Sequence, residues 1–213
     1  MDADVRQFRE AGSNDVQAIQ PRFEFRAWGR QLDAVRDRIA SLVEPYELRE
    51  SVETYIVSSA AADANPKVRG DRLDIKVLIA TRDGFEQWEP QLKASFPISA
   101  SILRNEFFRI LGEFAPNLDR DDYSYEQFVQ DIVERHDELA AVEVLKQRQI
   151  STVSGCITEF AHVSIAGEDT QTAAVESTDL AALHEARRLT GLDAYENINY
   201  PRAIKRAIGW DAA

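Results

Sequence analysis

The stretch Arg22-Phe23-Glu24-Phe25-Arg26-Ala27-Trp28 decides how the fold is read. It follows Pro21 and alternates polar and aromatic residues, the period of a β-strand. Successive strand side chains point to opposite faces, so Arg22, Glu24 and Arg26 share one face while Phe23 and Phe25 share the other. The same arrangement recurs. In RLDIK (72–76), Arg72, Asp74 and Lys76 lie opposite Leu73 and Ile75, and in LKQRQ (145–149) Lys146 and Arg148 share a face. Glu159 in ITEFA (157–161) and Glu176 in AAVES (173–177) sit amid β-formers. At least five strands thus carry charge within apolar surroundings.

The rest of the chain supplies helices between and after those strands. QLDAVRDRIASLV (31–43) places Leu32, Val35, Ile39, Leu42 and Val43 on one helical stripe, with Pro45 beyond it as a stop. LRESVETYIVS (48–58) reads as a strand. VRGDRLDIKVLIA (68–80) reads as its hairpin partner across AADANPK (61–67), taken as a long turn. A short strand is expected in GFEQWEPQLKA (84–94). Helices follow in SASILRNEFFRILG (99–112), with Ser99 or Ser101 as cap and Gly112 as stop, and in SYEQFVQDIVERHDELA (124–140). Three further strands, 142–152, 155–167 and 170–178, suggest an antiparallel meander broken at Gly155 and at GEDT (167–170). Asp179 caps a helix closed by Gly191, and Pro201 opens a short last one. The fold class is α+β.

The chain has 213 residues, 44% of them hydrophobic, and a formal net charge of -12. That charge argues against a generic nucleic-acid or anionic-membrane surface, because Lys and Arg on phosphates supply most of such affinity. Cys156 is the sole cysteine, which excludes an intramolecular disulfide and a cysteine-rich zinc site. With no signal-like or membrane-length apolar run, a cytoplasmic protein is expected. Residues 1–20 are polar and read as a flexible segment, and 21–213 as one domain.

Two readings of the charged faces stand side by side. They are the solvated faces of a half-exposed antiparallel sheet, or the sheet curls into a barrel of about eight strands with a polar interior and helices packed outside. The helices available to cover an apolar exterior favour the barrel, and so does the excess of Arg and Lys on these faces. A basic interior in an acidic chain calls for an anionic guest.

In this pattern the sequence resembles the CYTH, or triphosphate tunnel metalloenzyme, superfamily from about Arg22 to Ile208. RFEFR before a helix is similar to the opening Glu-x-Glu-x-Lys motif, with Glu24 at the second Glu and Arg26 at the Lys. RLDIK resembles the basic third strand. LKQRQ, ITEFAHVSI and AAVES resemble the later strands, and Asn199-Tyr200 before the last helix resembles the closing Ser-Tyr. The resemblance implies an eight-stranded tunnel that holds a triphosphate. Arg22, Arg26, Arg72, Lys76, Lys146 and Arg148 would contact phosphate. Glu24, Glu159 and Glu176 would hold Mg²⁺ or Mn²⁺, with Asp74 as a further acid, and Glu24 and Lys76 would be catalytic. Hard divalent ions take carboxylate oxygens and polyphosphate takes Arg and Lys, so these residue types suit in-line phosphoryl transfer to water.

Two positions depart from the pattern: Arg22 stands at the first Glu, and Ala174 where another carboxylate is expected. Metal-dependent hydrolysis of a triphosphate-containing substrate and non-catalytic binding of a phosphate, nucleotide or polyphosphate are therefore both carried forward. An interaction protein with a solvated sheet is the third reading, and a homodimer is compatible with all three. His162 reads as a partly buried outer-face residue, His136 and His184 as surface helix residues, and Tyr200 as packing or capping. Cys156 reads as inert. NLDRDDYS (117–124) lacks the glycine and spacing of a calcium loop and reads as a solvated acidic loop.

Overall fold

The computed structural model describes residues 20–43 and 47–210. The expected flexible segment, save Gln20, and the Pro45 helix stop lie outside them. Among the described residues ten strands run β1 Arg22–Gly29, β2 Glu47–Ser58, β3 Ala64–Arg69, β4 Arg72–Arg82, β5 Phe85–Ser95, β6 Ile98–Ser99, β7 Asp122–Tyr123, β8 Leu139–Val153, β9 Cys156–Ile165 and β10 Glu168–Ser177. Eight of them close an antiparallel barrel in the order β1-β10-β9-β8-β2-β3-β4-β5, while β6 and β7 pair separately. Closure leaves the barrel without an edge strand. The barrel expected from the alternating charges is the one that forms.

The helices are α1 Asp33–Leu42, α2 over residues 100–111, α3 over residues 125–133, α4 Leu180–Thr190 and α5 Tyr200–Ala207. Their ends follow the capping residues. Ser99 Oγ accepts from Ile102 N at 3.3 Å, and Asp179 Oδ1 accepts from Ala181 N and Ala182 N at 2.8 and 3.2 Å. Asn199 Oδ1 accepts from Arg202 N at 3.0 Å. Gly112 and Gly191 end α2 and α4 in the left-handed conformation.

By its contacts the chain forms two compact units. One takes in Glu53–Val77 and Glu89–Val142, the other Pro21–Val52, Leu78–Trp88 and the described residues from Glu143 on. In the first, Ile56, Val68, Leu73 and Ile75 from the strands pack with Phe107, Phe108 and Phe128 from α2 and α3. In the second, Phe23, Phe25 and Ala27 pack with Val35 and Ile39 of α1 and Leu183 and Ala186 of α4. The aromatic face of β1 is thus the one the helices cover, as its alternation requires.

Four local expectations are corrected. AADANPK is not a long turn: Ala64, Pro66 and Val68 are buried in register with Val77, Ile75 and Leu73, so burial outweighs the Asn-Pro turn signal and makes β3 a strand. The strand expected to be short in 84–94 is the 11-residue β5. Helix α3 ends by Val133, and Leu139 opens β8, so His136 lies in the turn between them. His162 is exposed rather than partly buried. The meander itself forms, and its two tight turns place Ser154-Gly155 and Ala166-Gly167 at positive φ, which suits the twist of paired strands.

Candidate functional site

The charged face of β1 is built by an asymmetry in its pairing. Between Arg22 and Glu24 the strand pairs with β5, and along its other side it pairs with β10 as far as Gly29. Beyond Glu24, residues 197–198 take the place of β5. Arg26 N donates to Asn197 Oδ1 at 2.8 Å, Ile198 N donates to Arg26 O at 2.8 Å, and the Trp28 indole N–H donates to Ile198 O at 2.9 Å. This pins the start of α5 beside the charged face and brings Tyr200 onto it.

Arg26 is the centre of the face. Its side chain is 7% exposed, its Nε donates to Glu24 Oε1 at 2.8 Å, and its Nη1 donates to Glu159 Oε1 at 3.0 Å. The reach to Glu159 follows from register. Ala174 is the Cα partner of both Arg26 and Glu159, so only a methyl group lies in that row between them. Burial works against the guanidinium charge, but Glu24 and then Glu159 outweigh it and hold the Arg26 pKa well above its ordinary value. The guanidinium carbon also lies 4.7 Å from the Tyr200 ring centroid, and Lys146 Nζ lies 4.0 Å from the same centroid. Trp28 meets that ring edge-on at 4.8 Å.

Arg148 stands on β8 two residues from Lys146, which places both on one face. Its Nη1 is 3.8 Å from Glu159 Oε2, while its Nε is buried with no hydrogen-bond partner among the described residues. Lys146 is buried and lines a pocket of about 700 Å³ together with Val52, Leu145, His162, Val163 and Thr170. Arg22, by contrast, is 48% exposed and faces Glu176 Oε1 at 3.5 Å. Glu24 is the register partner of Glu176 on one side and Glu86 on the other, which sets three carboxylates in one row. Burial first, and Glu24 after it, push the Glu86 carboxyl pKa up against the hydrogen bonds that Asn199 Nδ2 gives it at 3.2 Å.

Of the residues singled out in the sequence, Arg22, Glu24, Arg26, Lys146, Arg148, Glu159 and Glu176 therefore all fall in one unit. Arg72, Asp74 and Lys76 belong to the other. There Arg72 is exposed opposite Arg69, and Asp74 and Lys76 are half-buried opposite Lys67 and Asn65. The centre of that unit is a group the sequence reading missed. The Glu53 side chain is fully buried, with Lys67 Nζ at 3.2 Å, Arg69 Nη1 at 3.7 Å and the Tyr55 hydroxyl donating to it at 3.1 Å. Burial lowers the Lys67 pKa while Glu53 opposes the shift. The alternation of Asn65, Lys67 and Arg69 with Ala64, Pro66 and Val68 was the available signal, masked by reading Asn65-Pro66 as a turn.

The carboxylates assigned to Mg²⁺ or Mn²⁺ do not fit that group in this arrangement. Glu24, Glu159 and Glu176 each face an arginine, and among the described residues no three His, Cys, Asp or Glu side chains gather as a metal site. Cys156 is buried, and burial raises its thiol pKa, in keeping with an inert role. No described helix is long and apolar enough to cross a membrane.

Fold and site together define a closed antiparallel β-barrel with buried Arg, Lys and Glu on the strand faces opposite its aromatic ones. No family model and no curated protein matches the sequence. Solved structures do resemble the fold. A Bacillus halodurans protein provisionally described as an adenylate cyclase has a TM-score of 0.48 at 10% identity, covering 88% of this chain and 98% of that one. An adenylyl cyclase candidate from Hippeastrum, reported to have a dominant triphosphatase activity, has a TM-score of 0.46 at 13% identity, covering 88% and 96%. A conserved hypothetical protein from Pyrococcus furiosus has a TM-score of 0.47 at 12% identity, covering 84% and 98%. At these identities the likeness is one of fold alone, and roles for individual residues rest on the side chains described above.

Proposed function

We propose that this chain binds a phosphorylated small molecule, with a triphosphate-bearing compound as the ligand class its residues suit best. The observation that carries the proposal is the pair Lys146 and Arg148. A buried lysine and a half-buried arginine stand on one face of β8, and the arginine keeps a buried Nε–H without an acceptor among the described residues. A donor left so is costly unless a ligand or water meets it, and a phosphate oxygen meets both its charge and its hydrogen bond. The adjoining pocket of about 700 Å³ is of the size that holds a nucleotide-like molecule.

Thermal unfolding with tripolyphosphate or ATP tests this. A ligand that binds only the folded state at a hundred times its Kd adds about 2.7 kcal/mol. The expected result is a rise in Tm that Lys146→Met and Arg148→Met each reduce. No rise with either compound would defeat the proposal. Hydrolysis is the second reading, favoured by the placement of Glu159 at 3.8 Å from the Arg148 guanidinium, where a carboxylate can orient water next to a bound phosphate. Release of inorganic phosphate during the same titration, lost in Glu159→Gln, would establish it.

A further inference from the structure

Each carboxylate that the family resemblance assigns to a divalent ion is already met by an arginine. Arg26 donates to Glu24 at 2.8 Å and to Glu159 at 3.0 Å, and Arg22 faces Glu176 at 3.5 Å. The two departures from the family pattern produce this arrangement. Arg22 puts a cation where the pattern has a carboxylate. Ala174 removes a carboxylate from the row that Arg26 crosses to reach Glu159, and its small side chain leaves that path open. Both changes make the wall more positive.

The position between Glu24 and Glu159 is therefore filled by a guanidinium that is also stacked on the Tyr200 ring. A divalent ion would have to displace it, breaking two charge-assisted hydrogen bonds and leaving a buried cation with no carboxylate beside it, only the Thr172 hydroxyl and the Tyr200 ring. Mg²⁺ in addition demands six oxygen ligands in near-octahedral geometry and gives up its water reluctantly. An arginine held this way supplies positive charge without either requirement.

We infer that Arg26, assisted by Arg22, is the resident cation of this site, and that the wall takes its phosphate ligand without a divalent metal ion. This deepens the phosphate-binding reading and rests on it for the ligand alone. The test has two arms. In the first, Mn²⁺ is titrated into the protein without phosphate, with bound ion followed by spin resonance and stability by Tm. Wild type is expected to take up no Mn²⁺ in the micromolar range and to keep its Tm. The variant Arg22→Glu, and the double variant Arg22→Glu/Ala174→Glu, are expected to gain at least tenfold in Mn²⁺ affinity and a Tm that rises with the ion. Arg22 is exposed, so the single variant keeps the test decisive where the double one does not fold.

In the second arm, tripolyphosphate is titrated in EDTA and in excess Mg²⁺, and the Tm shifts are expected to agree. Micromolar Mn²⁺ binding by wild type, or a tripolyphosphate shift that vanishes in EDTA, would overturn the inference. Absence of any shift with or without metal would instead remove the phosphate reading, while the Mn²⁺ arm would still decide whether Arg26 holds the cation's place.

Discussion

The two compact units each bury a charge, and they do so in opposite senses. In one, a carboxylate sits at the centre: Glu53 is fully buried and is met by Lys67, Arg69 and Tyr55. In the other, a cation sits at the centre, with Arg26 held by Glu24 and Glu159. The partners differ in their access to water. Lys67 and Arg69 are 22% and 51% exposed, whereas Glu24 and Glu159 are 20% and 14% exposed. The difference lies in Arg69: removing the first centre leaves one partner that can rehydrate readily, whereas removing the second leaves none as exposed. A buried charge is stabilised by its partners, and the penalty for breaking the group falls on whichever member remains in the dry.

Substitution of the two centres is the strongest way to break that comparison. Arg26→Met removes the hydrogen-bonded arginine from Glu24 and the nearer of the two arginines from Glu159, and is expected to lower stability by about 4 kcal/mol, read from urea unfolding at pH 7. Glu53→Gln keeps the size of the side chain and leaves one of its two cations, Arg69, half exposed to solvent, so a smaller loss of about 2 kcal/mol is expected. Equal losses, or the reverse order, would mean that solvent access of the partners does not govern the cost.

The acid row beside Arg26 sharpens the comparison through pH. Folding raises the Glu86 pKa, so above its folded value this group subtracts from stability, and the loss is relieved as pH falls through that value toward the unfolded one. Glu86→Gln is accordingly expected to stabilise the fold at neutral pH by no more than about 1 kcal/mol and to flatten this part of the pH profile. A destabilised variant with an unchanged profile would show that Arg26 neutralises the whole row. The smallest effect is expected at the rim: Arg22→Ala, which removes an exposed ion pair, should change stability by less than about 0.5 kcal/mol.

Much of this was legible in the sequence because strand alternation leaves a direct mark. RFEFRAW encoded both the helix-covered aromatic face and the charged one, and Ser99, Asp179 and Pro201 marked three helix starts, while the cap of the last, Asn199, emerged only from the structure. Alternation set Arg22, Glu24 and Arg26 on one face of β1 and Lys146 with Arg148 on one face of β8, whereas their gathering in one unit with Glu159 and Glu176, and without Arg72 and Lys76, is fixed by strand pairing. What escaped was set by contacts between distant segments. Glu53 lies in LRESVETYIVS between an exposed Val52 and a half-buried Thr54, and nothing local distinguishes it from Glu50, which is exposed. The partner that buries it, Lys67, lies in a strand whose Asn65-Pro66 pair resembles a turn. Nor does local pattern say that Ala174 lines up between Arg26 and Glu159, since register across three strands is fixed by pairing.

Trp28 gives the charged face a built-in optical reporter. Its indole is fixed by the hydrogen bond to Ile198 and lies against Tyr200, whose ring carries both Arg26 and Lys146. Emission from an indole responds to nearby charge and to its hydrogen-bond acceptor, so a ligand drawing Lys146 off the ring would be seen as a shift in fluorescence without any label. The chain has three tryptophans, and Trp88→Phe with Trp210→Phe would isolate this signal. Binding could then be followed in real time on the unmodified charged residues themselves.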